Sequence, residues 1–151
     1  MKTVKPVTVE IAVPAPPEQA YAYLAVLANH AAFLDHFLVD WSFSGPAGGL
    51  GAKGRARANT TGSQDWTDFE IVEAEPPRRL VEDGVGNGGK RHTRGTYELQ
   101  PGPGGGTRVS FTLEWIEASR AERLCPPLTR AFVRRPNAKA LRRFAGQLGG
   151  G

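Results

Sequence analysis

The sequence predicts an α+β fold in which an antiparallel sheet is built first and a long helix closes the chain. Three observations carry this expectation. Apolar residues alternate with polar ones at period two in most segments. From Phe37 to Ile116 strand-like runs follow one another through short glycine- and proline-rich loops, as in an antiparallel meander. After Pro126-Pro127 the period becomes helical and stays so to Leu148.

Val7, Val9, Ile11 and Val13 alternate with Thr8, Glu10 and Ala12, the signature of a half-buried strand. Pro14-Ala15-Pro16-Pro17 stops it, and proline is tolerated in the first turn of the helix expected over Glu18–Leu27. A second short helix is expected over Asn29–Phe33, capped by Asn29. Six strands should follow: one through Val39, Trp41 and Phe43, then Ala52–Thr60, Trp66–Glu75, Leu80–Val85, Arg91–Leu99 and Thr107–Ile116. Thr61-Gly62-Ser63-Gln64 reads as a turn, and the glycine runs 84–89 and 102–106 read as hairpin turns. Neither glycine run leads from a strand into a helix, so neither is a phosphate loop. In the last helix Asn137, Leu141, Phe144 and Leu148 share a face opposite Arg135, Lys139, Arg142 and Arg143, and Pro136 should kink or break it. Residues 1–148 read as one domain, with a flexible glycine tail over 149–151.

At 151 residues with 40% hydrophobic and 23% charged residues, the chain can build one core and is not disordered. No apolar run approaches the ~20 residues of a membrane span. The N-terminus leads straight into strand-like sequence, and a signal peptide is not expected. The lone Cys125 can form no internal disulfide, which favours a cytoplasmic setting, and it reads as an inert, partly buried thiol. Residues 119–151 place eight Arg and Lys against Glu122 alone. The preferred reading is a solvated basic face. Without interleaved aromatic residues, no specific nucleic-acid partner is expected.

The order of strand, two short helices, six strands and long helix resembles the helix-grip fold of the START-like/Bet v 1-like superfamily, in its bacterial polyketide cyclase/dehydrase and lipid-transport-like group. Local residues add to the likeness. Val9-Glu10-Ile11-Ala12-Val13-Pro14-Ala15-Pro16-Pro17-Glu18-Gln19-Ala20-Tyr21 looks like the family's first strand and helix, and Glu73-Ala74-Glu75-Pro76-Pro77-Arg78-Arg79-Leu80 like a corner between later strands. Gly95-Thr96-Tyr97-Glu98-Leu99 with Gly106-Thr107-Arg108-Val109 looks like the last hairpin. The resemblance implies a curved seven-stranded sheet wrapped around the long helix, with a cavity between them.

Phasing then selects the lining. Trp41, Phe43, Phe69, Tyr97, Phe111 and Trp115 are expected to face inward, roofed by Leu128 and Phe132 and opposite the small residues Gly54, Ala56 and Ala58. Arg91 and Thr93 share an inward phase with Tyr97 and could orient a polar ligand group. Outside, Arg55 and Arg57 should face Asp68 and Glu70 across a strand pair. The one inward carboxylate is expected to be Asp83, a candidate general acid or base. Its plainer reading is a solvent-facing residue at a strand end. His30, His36 and His92 are not spaced for a metal, and no cofactor is expected. The implied function is binding or transport of a small, mostly apolar ligand (lipid, polyketide or aromatic metabolite) by a monomer or homodimer. The alternative is an aromatase/cyclase-like enzyme acting on chains held by an acyl carrier protein.

Overall fold

A computed structural model describes residues 3–59 and 64–149. Thr60, expected to end a strand, the first three residues of the expected turn Thr61-Gly62-Ser63-Gln64, and the tail residues Gly150 and Gly151 lie outside the described residues. The chain runs β1 (Val7–Val13), α1 (Pro17–Ala25), α2 (Ala28–Leu34), β2 (Leu38–Ser44), β3 (Lys53–Ala58), β4 (Trp66–Glu75), β5 (Arg79–Gly86), β6 (Arg91–Pro101), β7 (Thr107–Glu117), α3 (Arg120–Leu124) and α4 (Pro126–Gly149). Every strand pair is antiparallel, in the order β1-β7-β6-β5-β4-β3-β2. This is the expected curved seven-stranded sheet with a long C-terminal helix and two short helices between the first two strands.

The hairpins behave as their glycines require. Gly88 and Gly89 after β5, and Gly104 and Gly105 after β6, all take positive φ, which a side chain would oppose. Several local expectations are corrected. Asn29 lies inside α2 rather than capping it, and its amide donates to the Tyr23 carbonyl at 2.9 Å. α4 runs unbroken through Pro136, and Gly149 is its last residue rather than tail. The short α3 was not expected from the sequence, although Ser119 and Glu122 form a reciprocal capping box at its start. Cys125, at the end of α3, is exposed rather than partly buried.

The core sits at one end of the molecule. Leu24 and Leu27, Phe33 of α2, Ile71 of β4, Leu80 of β5, Val109 of β7 and Phe144 of α4 are buried together. Phe33 and Phe144 approach at 5.5 Å between ring centroids. Burying each large side chain contributes roughly 1.5–3 kcal/mol, so this end holds the domain together. Part of the basic face of α4 is structural. The Arg130 guanidinium donates to the carbonyls of Lys5 and Pro6, and Arg134 to that of Thr8, tying α4 to the β1 edge. Arg143 reaches the Asp35 carboxylate at 2.6 Å and the Ala32 carbonyl, tying α4 to α2. No described helix is long and apolar enough to cross a membrane.

Candidate functional site

The opposite end of the interior is not filled. A half-open cleft of about 420 Å³ lies between the inner face of the sheet and the N-terminal half of α4. Its sheet wall is built by alternation: Thr67 and Phe69 on β4, Arg91, Thr93 and Tyr97 on β6, and Phe111, Leu113 and Trp115 on β7. Leu34, Phe37, Leu38 and Ala58 close one flank, and Phe132, Val133, Pro136 and Asn137 form the roof. Phe132 is 71% exposed although it lines the cleft, which places it at the mouth.

Of the expected lining residues, the structure brings together Ala58, Phe69, Arg91, Tyr97, Phe111, Trp115 and Phe132. Four others lie elsewhere. Trp41 is held by its indole N–H, which donates to the Leu38 carbonyl, and its ring stacks between Phe43 and Phe69 at 5.7 and 5.5 Å. Phe43 is 43% exposed at the edge of the sheet and leans over Gly54. Ala56 is buried outside the lining, and Leu128 points to solvent at 55% exposure. Of the small residues of β3 Ala58 alone borders the cleft: a Cβ on Gly54 would meet Leu27 at 3.2 Å and Phe43 at 3.3 Å, so close packing uses that position.

Phasing slipped at two strands. In β2 a bulge lies between Val39 and Ser42, where Asp40 takes φ 57°, so Leu38 rather than Val39 shares the inner face with Trp41 and Phe43. In β5, Leu80 and Val81 are both buried, and Glu82 and Asp83 are adjacent acids, so alternation alone does not choose a face. The structure turns Glu82 inward. Asp83 lies on the other face, where it accepts from Arg94 at 2.9 Å and contacts His92 at 3.2 Å. Those two partners hold its carboxyl below the usual range although burial opposes them. Asp83 is thus a surface ion-pair residue outside the cleft. On the same outer face Arg55 approaches Asp68 at 3.9 Å as expected, whereas Arg57 pairs with Asp40 at 2.6 Å and not with Glu70.

Glu82 is the residue that sequence reasoning missed. It lines the inner end of the cleft, opposite Ile71 of β4 and Gly95 of β6 in register. Gly95 has a steric reason to be glycine: a Cβ there would stand 2.7 Å from the Phe111 ring and 3.2 Å from the Glu82 side chain. Burial raises the Glu82 carboxyl from its ordinary 4.5 to about 7. Behind it stands His30 of α2, only 1% exposed, whose Nε2–H donates to the Leu24 carbonyl at 2.8 Å. That bond leaves the bare Nδ1 facing Glu82 Oε2 at 3.8 Å. Burial lowers His30 from 6.5 to about 4, so at neutral pH the imidazole carries no charge and the contact is not an ion pair.

The mouth has its own polar cluster. Arg91 makes a bidentate pair with Asp65 at 2.9 and 3.1 Å and reaches Thr67 at 3.2 Å. A Cβ on Gly86 would collide with that guanidinium, which explains the close approach of β5 backbone there. Opposite, the Trp115 indole donates to Glu122, the third residue of α3, at 3.0 Å. Among the described residues no group of three or more His, Cys, Asp or Glu side chains is placed to hold a metal ion.

Solved structures share the whole fold. A protein of Chromobacterium violaceum, CV1439, is 17% identical with a TM-score of 0.71, over 96% of this chain and 98% of that one. Ara h 8.0201 is 13% identical with a TM-score of 0.73, over 97% and 98%. A conserved protein of Geobacillus kaustophilus is 11% identical with a TM-score of 0.75, over 96% and 95%. No curated protein matches the sequence. Residues 6–149 match the family described as polyketide cyclase / dehydrase and lipid transport. With that match over nearly its whole length, the chain belongs to the polyketide cyclase/dehydrase and lipid-transport family, and it has the helix-grip fold.

Proposed function

We propose that the cleft binds a small, mostly apolar molecule, such as a lipid, a polyketide or an aromatic metabolite, and that the protein carries or presents it. The observation that supports this reading is the cleft itself: about 420 Å³, walled by Phe69, Tyr97, Phe111, Leu113 and Trp115, within the size range of small-molecule sites. Phe132 at the mouth adds apolar surface where a ligand would enter. Val133 lines the roof, so Val133→Trp places a larger side chain in the cleft without replacing any residue of the sheet wall. Titration with the neutral fluorophore N-phenyl-1-naphthylamine should show saturable enhancement with the wild type and at least about tenfold weaker binding with Val133→Trp. Equal affinity in the two proteins would contradict the reading.

The second reading, an aromatase/cyclase-like enzyme acting on carrier-bound chains, draws support from Glu82, a buried acid at the inner end of the cleft. It predicts turnover of a poly-β-ketone thioester on a carrier protein. Unchanged substrate after prolonged incubation would leave only the binding reading.

A further inference from the structure

Glu82 stands where three unusual conditions meet. Its carboxyl is at the inner, least accessible end of an otherwise apolar cleft. Among the described residues no hydrogen bond reaches that carboxyl, so nothing there neutralises an ionised form. His30 Nδ1, 3.8 Å from Glu82 Oε2, is itself without a hydrogen-bond partner and offers a lone pair rather than a proton. An anion facing that lone pair would be repelled, whereas a carboxylic acid keeps one O–H that the protein does not engage.

We propose that the Glu82–His30 pair keeps a proton at the inner end of the cleft as a hydrogen-bond donor for an uncharged carbonyl oxygen, so that the site selects neutral ketone- or ester-bearing apolar ligands and rejects carboxylates. The proposal rests on the ligand-binding reading above. His30 is the positioning residue: its single proton is committed to the Leu24 carbonyl, so it cannot donate to Glu82, and its bare Nδ1 disfavours an anion beside it. The other ionisable groups near Glu82 do not supply a counter-charge. Tyr97 of β6 is buried and its hydroxyl is pushed well above its ordinary value, so it stays neutral. Arg91 and Asp65 at the mouth neutralise each other. Glu122 of α3 lines the cleft but accepts from Trp115 and from the Ser119 backbone. The cleft-lining residues of α4 are Phe132, Val133, Pro136 and Asn137, none of them ionisable. The sharply raised carboxyl of Glu82 agrees with this placement.

The test uses three naphthalenes of matched shape, 2-acetylnaphthalene, 2-ethylnaphthalene and 2-naphthoate, each displacing N-phenyl-1-naphthylamine. At about pH 6 the ketone should bind the wild type about five- to tenfold more tightly than the hydrocarbon, and the carboxylate most weakly, as one engaged donor predicts. The ketone's advantage should disappear by about pH 9, as Glu82 releases its proton. In Glu82→Gln, whose amide still donates, the advantage should persist and lose its pH dependence. Absence of any ketone preference at the lower pH, or the same pH profile in wild type and Glu82→Gln, would overturn the proposal while leaving apolar binding intact. Failure of all three probes to bind would overturn the ligand-binding reading and this inference with it. A second measurement needs no variant: the carbon-13 titration of the Glu82 carboxyl should have its midpoint near 7, and a midpoint in the ordinary carboxylate range would overturn the proposal.

Discussion

The two halves of α4 do opposite things on one continuous helix. After Pro136 the helix buries Ala140, Leu141 and Phe144 against Phe33, Leu24 and the inner face of the sheet. Before Pro136 it leaves Leu128 and Phe132 largely in water and holds Val133 over an open cleft. A domain needs only part of its helix to close a core, and the remainder can roof a space that no side chain fills. The contrast separates the residues that stabilise from those available for a ligand.

The largest expected effect tests the packed half. Phe144→Ala removes a ring with no solvent exposure and should cost about 3–5 kcal/mol in chemical denaturation. A cost under about 1 kcal/mol would mean that this end is as loosely filled as the other.

Next comes the acid at the base of the open half. Folding keeps a proton on Glu82 that the unfolded chain has already released above 4.5, so this group subtracts stability as pH rises from 4.5 to about 7. His30 works in the other direction: held neutral, it subtracts stability as pH falls from 6.5 towards about 4. Glu82→Gln removes only the first effect. Its stability should therefore gain on the wild type by roughly 3 kcal/mol between those two Glu82 values. Parallel stability–pH curves for the two proteins would mean that Glu82 is not held protonated.

Smaller effects sharpen the contrast between faces. Asp83→Asn weakens the partly exposed contacts with Arg94 and His92 and should cost about 1 kcal/mol or less, without altering naphthylamine affinity. A large affinity loss would return Asp83 to the site. Phe132→Ser at the mouth should change stability by less than about 0.5 kcal/mol yet weaken the probe several-fold. If it destabilised the fold like Phe144→Ala, the two halves of the helix would not differ.

The fold was legible because its signals repeat. Val7 to Val13, Thr67 to Ile71 and Val109 to Trp115 each alternate cleanly, and Gly88-Gly89 and Gly104-Gly105 mark their turns. Most of the cleft's sheet wall followed from that alternation. What failed was phase wherever a local feature defeats period two. The bulge at Asp40 moved Leu38 inward and took Val39 out, and adjacent apolar and acidic pairs at 80–83 hid the inward turn of Glu82. His30 carried no usable signal, because alternation with Asp83 inward leaves Glu82 on the outer face. The five-residue α3 was signalled only by Ser119 and Glu122, three apart, a pattern too short to stand out beside the long helix.

On the binding reading proposed above, apolar molecules enter under the first half of α4 and not elsewhere. Methyl-resolved NMR during titration with N-phenyl-1-naphthylamine tests it most directly, because every region of the molecule reports at once. Leu38, Leu113 and Val133, which line the cleft, should shift together and saturate with one affinity. Leu24 and Leu141, in the packed end, should stay within their free-state positions. Shifts confined to the exposed Leu124 and Leu128, or centred on Val85 of the outer sheet face, would place binding outside the cleft and contradict the account.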